Sequence, residues 1–180
     1  MNYLEAEITN KESSILNNHL PKIGLQTVQQ EIIKGLKEES KYISSKFFYN
    51  EKGSELFEDI THLKEYYPTR TEKTIISRIK EDLQIDFSNV NIIELGSGDH
   101  SKISLLLDQI SESDLATLKY FPVDISQSAI EIASTKLHDV FPQIEIHGIV
   151  ADFLHQLHEI PKTGHRLFCF FGSTIGNLNP

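Results

Sequence analysis

The spacing of apolar positions changes character near residue 90. Up to about residue 24 the chain is polar and weakly periodic. Val28, Ile32, Ile33 and Leu36 then recur at helical spacing, which predicts a helix over 27–39 with Gly35 as its weak point. A polar loop follows, carrying Phe47-Phe48-Tyr49 and Asn50-Glu51-Lys52-Gly53. Three adjacent aromatics before a turn suit either a core anchor or the wall of a binding site. Leu56, Phe57 and Ile60 make one apolar stripe and predict a short helix over 55–61, capped by Ser54. In Glu65-Tyr66-Tyr67-Pro68-Thr69-Arg70 the proline biases Tyr67 away from helical backbone. Thr69 or Thr71 can cap a further helix reaching about Leu83.

Beyond residue 90, strand-like runs alternate with helical ones. Strands are predicted over 91–95, 119–123, 145–150 and 166–171. Helices are predicted over 101–110 and 126–140, with a short helical stretch near 153–157. Four strands joined by helical crossovers imply an α/β protein with a parallel sheet wound in the right-handed sense. The stretch from Gly172 to Pro180 reads as a loop leading toward another helix, so the C-terminal part of such a fold is expected to be absent. An exposed sheet edge after the last strand would then invite self-association.

The first of these strands runs into Glu94-Leu95-Gly96-Ser97-Gly98, with a helix just beyond. A strand that stops at glycine lets backbone approach a nucleotide-like ligand closely, with N–H groups and the positive end of a helix dipole facing it. The third glycine of a dinucleotide fingerprint is missing, since Ser101 stands there. Glu94 can accept hydrogen bonds from nearby backbone or help position a ligand amino group.

Polar residues also close the later strands. Asp124 follows the second, where a carboxylate can accept both ribose hydroxyls of an adenosine; it can equally cap the next helix. Asp152 follows the third and can accept from an adenine amino group while Phe153 packs on the ring. Gly172 to Asn177 closes the fourth with flexible backbone and a side-chain amide. That rim is where open α/β sheets bind ligands. A glycine loop, a ribose acid and an adenine acid without a pyrophosphate-binding glycine set match the needs of S-adenosylmethionine (SAM). Lys102 can reach its methionyl carboxylate or simply be solvated.

Composition narrows the classes. With 17 basic against 26 acidic residues the formal charge is −9, and no basic run offers a nucleic-acid surface. No apolar run approaches the roughly 20 residues needed to span a bilayer. The N-terminus lacks the basic and apolar pattern of a secretory signal, and a single cysteine excludes an internal disulfide. A cytoplasmic location is expected. Cys169, within Leu167-Phe168-Cys169-Phe170-Phe171, reads as a core thiol rather than a nucleophile. The eight histidines form no metal-ligand spacing, and no bound metal is expected.

Several of these segments together resemble a known family, the SAM-dependent histidine Nα-methyltransferases of ergothioneine biosynthesis. The resemblance spans residues 46–180. It rests on Phe48-Tyr49 with Gly53-Ser54-Glu55-Leu56-Phe57, on Glu65-Tyr66-Tyr67-Pro68-Thr69-Arg70, and on Glu94-Leu95-Gly96-Ser97-Gly98. It continues through Pro122-Val123-Asp124, Asp152-Phe153 and Gly172-Ser173-Thr174-Ile175-Gly176-Asn177-Leu178. It implies a Rossmann-like class I methyltransferase sheet. Residues 1–88 would form a helical region contributing to the substrate site, and 89–180 the N-terminal half of the SAM-binding domain. Gly96, Gly98, Lys102, Asp124, Asp152 and Phe153 would contact SAM. Tyr49 and Tyr66 would line the side facing the histidine imidazole, and Asn177 would hold the amino-acid end. The implied product is the quaternary amine of histidine, formed without a covalent intermediate. The rivals are an inactive SAM-binding fragment, a methyltransferase for a related amino acid or amine, and a nicotinamide-dependent oxidoreductase.

Overall fold

A computed structural model describes residues 14–22, 24–48 and 50–177, without the side chains of Glu51 and Asn177. Its centre is a sheet of β1 (Ser14–Asn18), β2 (Val90–Leu95), β3 (Lys119–Asp124), β4 (Glu145–Val150) and β5 (His165–Cys169). The spatial order is β1-β4-β3-β2-β5, and every pairing is parallel. Chain order therefore reverses beside β2, which opens a crevice at the carboxyl ends of the strands there. The α/β architecture is the expected one.

Strand sequences explain their placement. In β2, Val90, Ile92, Ile93 and Glu94 are all buried, as a parallel strand covered on both faces requires. Ile92 joins a cluster with Ile103, Leu107, Tyr120, Leu137 and Ile146. Its neighbour Ile93 faces the other way, onto Phe121, Val123, Ile149 and Ile160. The β3–β4 pairing skips Phe121 and Pro122, where proline has no N–H to donate.

The helices are α1 (Leu25–Lys37), α2 (Glu51–Thr61), α3 (Pro68–Ile76), α4 (Ile79–Leu83), α5 (Ser101–Leu107), α6 (Glu112–Leu115) and α7 (Gln127–Val140). Gly35 is the residue that α1 buries, because the chain doubles back over it. A Cβ there would lie 2.5 Å from the Tyr42 carbonyl oxygen.

Five local expectations need correction. The polar stretch before residue 24 contains β1, paired from Ser14↔Ile146 to Asn18↔Val150, so the N-terminal region is not wholly helical. Asn50, not Ser54, caps α2, accepting from the Gly53 N–H at 2.8 Å. Tyr67 is helical (φ −67°, ψ −23°) despite Pro68, because its carbonyl accepts the Thr71 N–H at 3.1 Å. The helix expected to reach Leu83 breaks after Ile76. There the Gln109 amide accepts from the Lys80 N–H at 3.1 Å and donates to the Ile76 carbonyl at 2.7 Å. No helix spans 153–157. Asp152 closes a single turn by accepting the His155 and Gln156 N–H groups at 2.9 and 2.8 Å, and a short 3₁₀ turn covers Leu157–Glu159.

Candidate active site

The carboxyl ends of the strands, together with α2 and α3, enclose a cavity of about 460 Å³, within the usual range for a small-molecule site. Gly96, Gly98, Lys102, Asp124, Asp152 and Phe153 all line it. Phe57 of α2 and Thr69 and Lys73 of α3 face them from the other side.

The glycine loop is fixed by its neighbours. The Gly96 and Ser97 N–H groups donate to the Val123 carbonyl at 2.8 and 3.2 Å, bending the chain over the end of β3. Gly96 sits at φ +70°, a conformation that an L side chain resists. A Cβ there would also come within 3.0 Å of Thr174 Cγ2. The Ser97 hydroxyl is buried in the cavity wall without a partner among the described residues. Such an oxygen is left for a ligand or water to satisfy.

Asp124 connects two loops. Its Oδ2 accepts the Gly98 N–H at 3.0 Å and its Oδ1 accepts the Ser126 N–H at 2.9 Å. Capping of α7 falls instead to the Ser126 hydroxyl, which accepts from the Ala129 N–H at 3.3 Å. Burial raises the Asp124 pKa, against the opposing pull of these backbone donors. The carboxylate also lines the cavity, where it can accept a hydroxyl donor.

Asp152 and Phe153 are held by a different network. Asp152 Oδ1 accepts the Leu154 N–H at 3.0 Å, while its own N–H donates to the Gln156 side chain at 2.9 Å. Gln156 in turn donates to the His19 carbonyl at 2.5 Å, tying this loop to the segment after β1. Phe153 stands edge-on to Phe170, with ring centroids 5.7 Å apart.

Beneath the glycine loop, Glu94 is 1 % exposed and accepts the Tyr120 hydroxyl at 2.5 Å. Burial pushes the Glu94 pKa up to about 8, although Tyr120 and the Lys102 ammonium both oppose the shift. Glu94 is therefore largely protonated at neutral pH. Burial and the nearby Glu94 carboxyl push the Cys169 thiol up to about 12, which keeps it out of the thiolate form. Among the described residues no group of three histidine, cysteine or acidic side chains could hold a metal ion. None of the described helices is long and apolar enough to cross a membrane.

The expected substrate side is less complete. Tyr49 lies outside the described residues, as does the Asn177 side chain, though the Asn177 backbone ends the 3₁₀ turn Thr174–Asn177. Tyr66 does not line the cavity itself. It packs edge-on behind Phe57, which does, at 6.2 Å between centroids.

Sequence reading passed over two residues that organise this side. The Arg70 guanidinium donates to the Leu63 and Lys64 carbonyls at 2.9 and 2.6 Å, and more distantly to that of Tyr66. It thus fixes the turn that carries Tyr66. Glu72 pairs with Lys102 at 2.9 Å. Both lie in or beside the Tyr-Pro-Thr-Arg segment, so the motif was visible but its long-range partners were not.

Residues 28–180 match the family described as "Histidine-specific methyltransferase, SAM-dependent". Among curated proteins, the histidine N-alpha-methyltransferase of Mycobacterium tuberculosis (strain CDC 1551 / Oshkosh) is 37% identical over 164 residues, covering 91% of this chain and 51% of that protein. The histidine N-alpha-methyltransferase of Mycolicibacterium smegmatis is 36% identical over 155 residues, covering 86% and 48%. Ergothioneine biosynthesis protein 1 of Neurospora crassa is 33% identical over 138 residues, covering 73% and 15%. The chain spans about half the length of the two mycobacterial proteins.

Proposed function

The chain belongs to the family of histidine-specific, SAM-dependent methyltransferases, and on that premise we propose that its cavity binds SAM and serves methyl transfer to the α-amino nitrogen of histidine. Repeated transfer would give the trimethylated amine. The observation that carries this reading is convergence: glycine-loop backbone, Asp124, Asp152, Phe153 and Lys102 all border one cavity.

The donor set fits the cofactor. Asp124 offers a carboxylate to the ribose hydroxyls, Asp152 an acceptor to the adenine amino group, and Phe153 an apolar face to the ring. Lys102 supplies a cation for the methionyl carboxylate. When bound, SAM supplies an electrophilic methyl group on a sulfonium, already a good leaving group. The protein's work is then to bind, align and exclude water, without a nucleophile of its own.

Tyr49 and Asn177 are proposed to receive the acceptor, with Tyr66 backing this side of the cavity through Phe57. The acceptor's α-ammonium must shed a proton before it can react, so activity should rise with pH toward the ordinary range for such amines, about 8 or above. Mass spectrometry of products from the chain, SAM and a panel of amino acids tests the proposal. Trimethylation confined to histidine supports it. Methylation of another amine in preference to histidine contradicts the acceptor, and NAD binding in place of SAM contradicts the cofactor.

A further inference from the structure

Glu72, in the middle of α3, touches two cavity-lining residues but does not itself line the cavity. Its Oε2 lies 2.9 Å from Lys102 Nζ, in the first turn of α5. Its Oε1 accepts the Gly172 N–H at 2.7 Å, at the turn after β5. The side chains are only 26% and 14% exposed for Glu72 and Lys102, so solvent screens this pair less than an ordinary surface pair. The two partners also meet each other: a Cβ on Gly172, which sits at φ +75°, would approach Lys102 Nζ to 2.8 Å. One carboxylate thus joins three segments that are distant in sequence.

We propose that Glu72 is a positioning residue, aiming the Lys102 ammonium into the cavity and holding the Gly172 turn against the glycine loop. The Lys102 half of this proposal rests on the SAM reading above. A lysine has a long, flexible stem, and freezing it at the moment of binding costs affinity. An anchor that orders it beforehand removes that cost. The second oxygen acts on backbone: the Gly172 turn leads into Thr174, whose side chain lies over Gly96.

The two tasks use different chemistry and can be separated. Glu72→Gln keeps an oxygen for the Gly172 N–H but loses the charge that holds Lys102, whereas Glu72→Ala loses both. Calorimetric binding of S-adenosylhomocysteine is measured for the unsubstituted chain, E72Q, K102M and the double variant. E72Q should weaken binding roughly tenfold when Lys102 is present and have almost no effect beside K102M, as expected for contacting side chains. Equal losses in both backgrounds would mean a merely structural role, and tighter binding by E72Q would mean that Glu72 competes with the ligand. Either result overturns the inference.

Amide hydrogen exchange at Gly172 is the second readout, and it needs no ligand. Exchange should stay slow in E72Q and rise roughly tenfold or more in E72A; no change in E72A overturns the clamp. If the unsubstituted chain binds neither S-adenosylhomocysteine nor SAM, the cofactor reading fails together with the Lys102 half of the inference, and the exchange measurement still decides the Gly172 half.

Discussion

Gly98 and Asp124 lie 26 residues apart, yet the Gly98 N–H donates to the Asp124 carboxylate at 3.0 Å. This bond ties the loop after β2 to the end of β3 and fixes both where they border the cavity. The residue proposed to read ribose therefore also shapes the backbone that would approach the ligand. Substitution at Asp124 should expose these two roles separately.

Asp124→Asn retains the shape and one accepting oxygen but removes the charge. S-adenosylhomocysteine binding, followed by calorimetry, should weaken about tenfold, equivalent to about 1.4 kcal/mol. The thermal unfolding midpoint should fall by a smaller amount than in the alanine variant, because the amide nitrogen cannot accept whichever of the Gly98 and Ser126 N–H groups it faces. Asp124→Ala should cost stability as well, about 1–3 kcal/mol, by leaving the Gly98 and Ser126 N–H groups without their acceptor.

Glu94 should impose a pH dependence on folding. Its pKa is about 8 in the folded protein against an ordinary value of 4.5. The folded state therefore keeps a proton that the unfolded chain sheds over that interval. Its stabilising contribution is full below about pH 4.5 and is lost as pH rises through about 8. Glu94→Gln imitates the neutral carboxyl. Urea unfolding at pH 5 and pH 8 should show this part of the decline, on the order of a few kcal/mol, in the unsubstituted chain but not in the variant.

Arg70 should matter locally. Removing its guanidinium frees the carbonyls of Leu63 and Lys64, but the site is exposed and the global cost should stay near about 1 kcal/mol. Trypsin cleavage after Lys64 in Arg70→Ala should accelerate roughly tenfold as the turn opens more often. S-adenosylhomocysteine affinity should stay within about twofold, because Arg70 touches none of the residues proposed to bind it.

How much of this was legible in sequence depended on whether the cause was local. The strand Val90–Leu95 is an apolar run buried on both faces, and its pattern declared it. Gly96, Asp124 and Asp152 were visible because each follows such a run. By contrast β1 reads Ser-Ile-Leu-Asn-Asn, mostly exposed or half-buried, and owes its strand conformation to pairing with β4. The break after Ile76 comes from Gln109, whose side chain supplies the hydrogen bonds that helix continuation would otherwise make. Glu72 and Lys102, Glu94 and Tyr120, and Gln156 and His19 are likewise partners that only the folded chain brings together.

Gly96→Ala combines two penalties: a side chain at φ +70° and a Cβ within 3.0 Å of Thr174 Cγ2. Left-handed backbone alone costs about 1–2 kcal/mol for a residue with a Cβ. The variant should unfold at lower denaturant by at least that energy. Adding Thr174→Ser, which removes the methyl group, should recover part of the loss in urea unfolding.

Crystals of the chain grown with SAM address the cavity directly. Ribose hydroxyls are expected on the Asp124 carboxylate, the adenine against Phe153 with its amino group toward Asp152, and the methionyl carboxylate at Lys102. Density for SAM elsewhere on the surface, or a cavity that admits NAD while refusing SAM, would contradict the assignment.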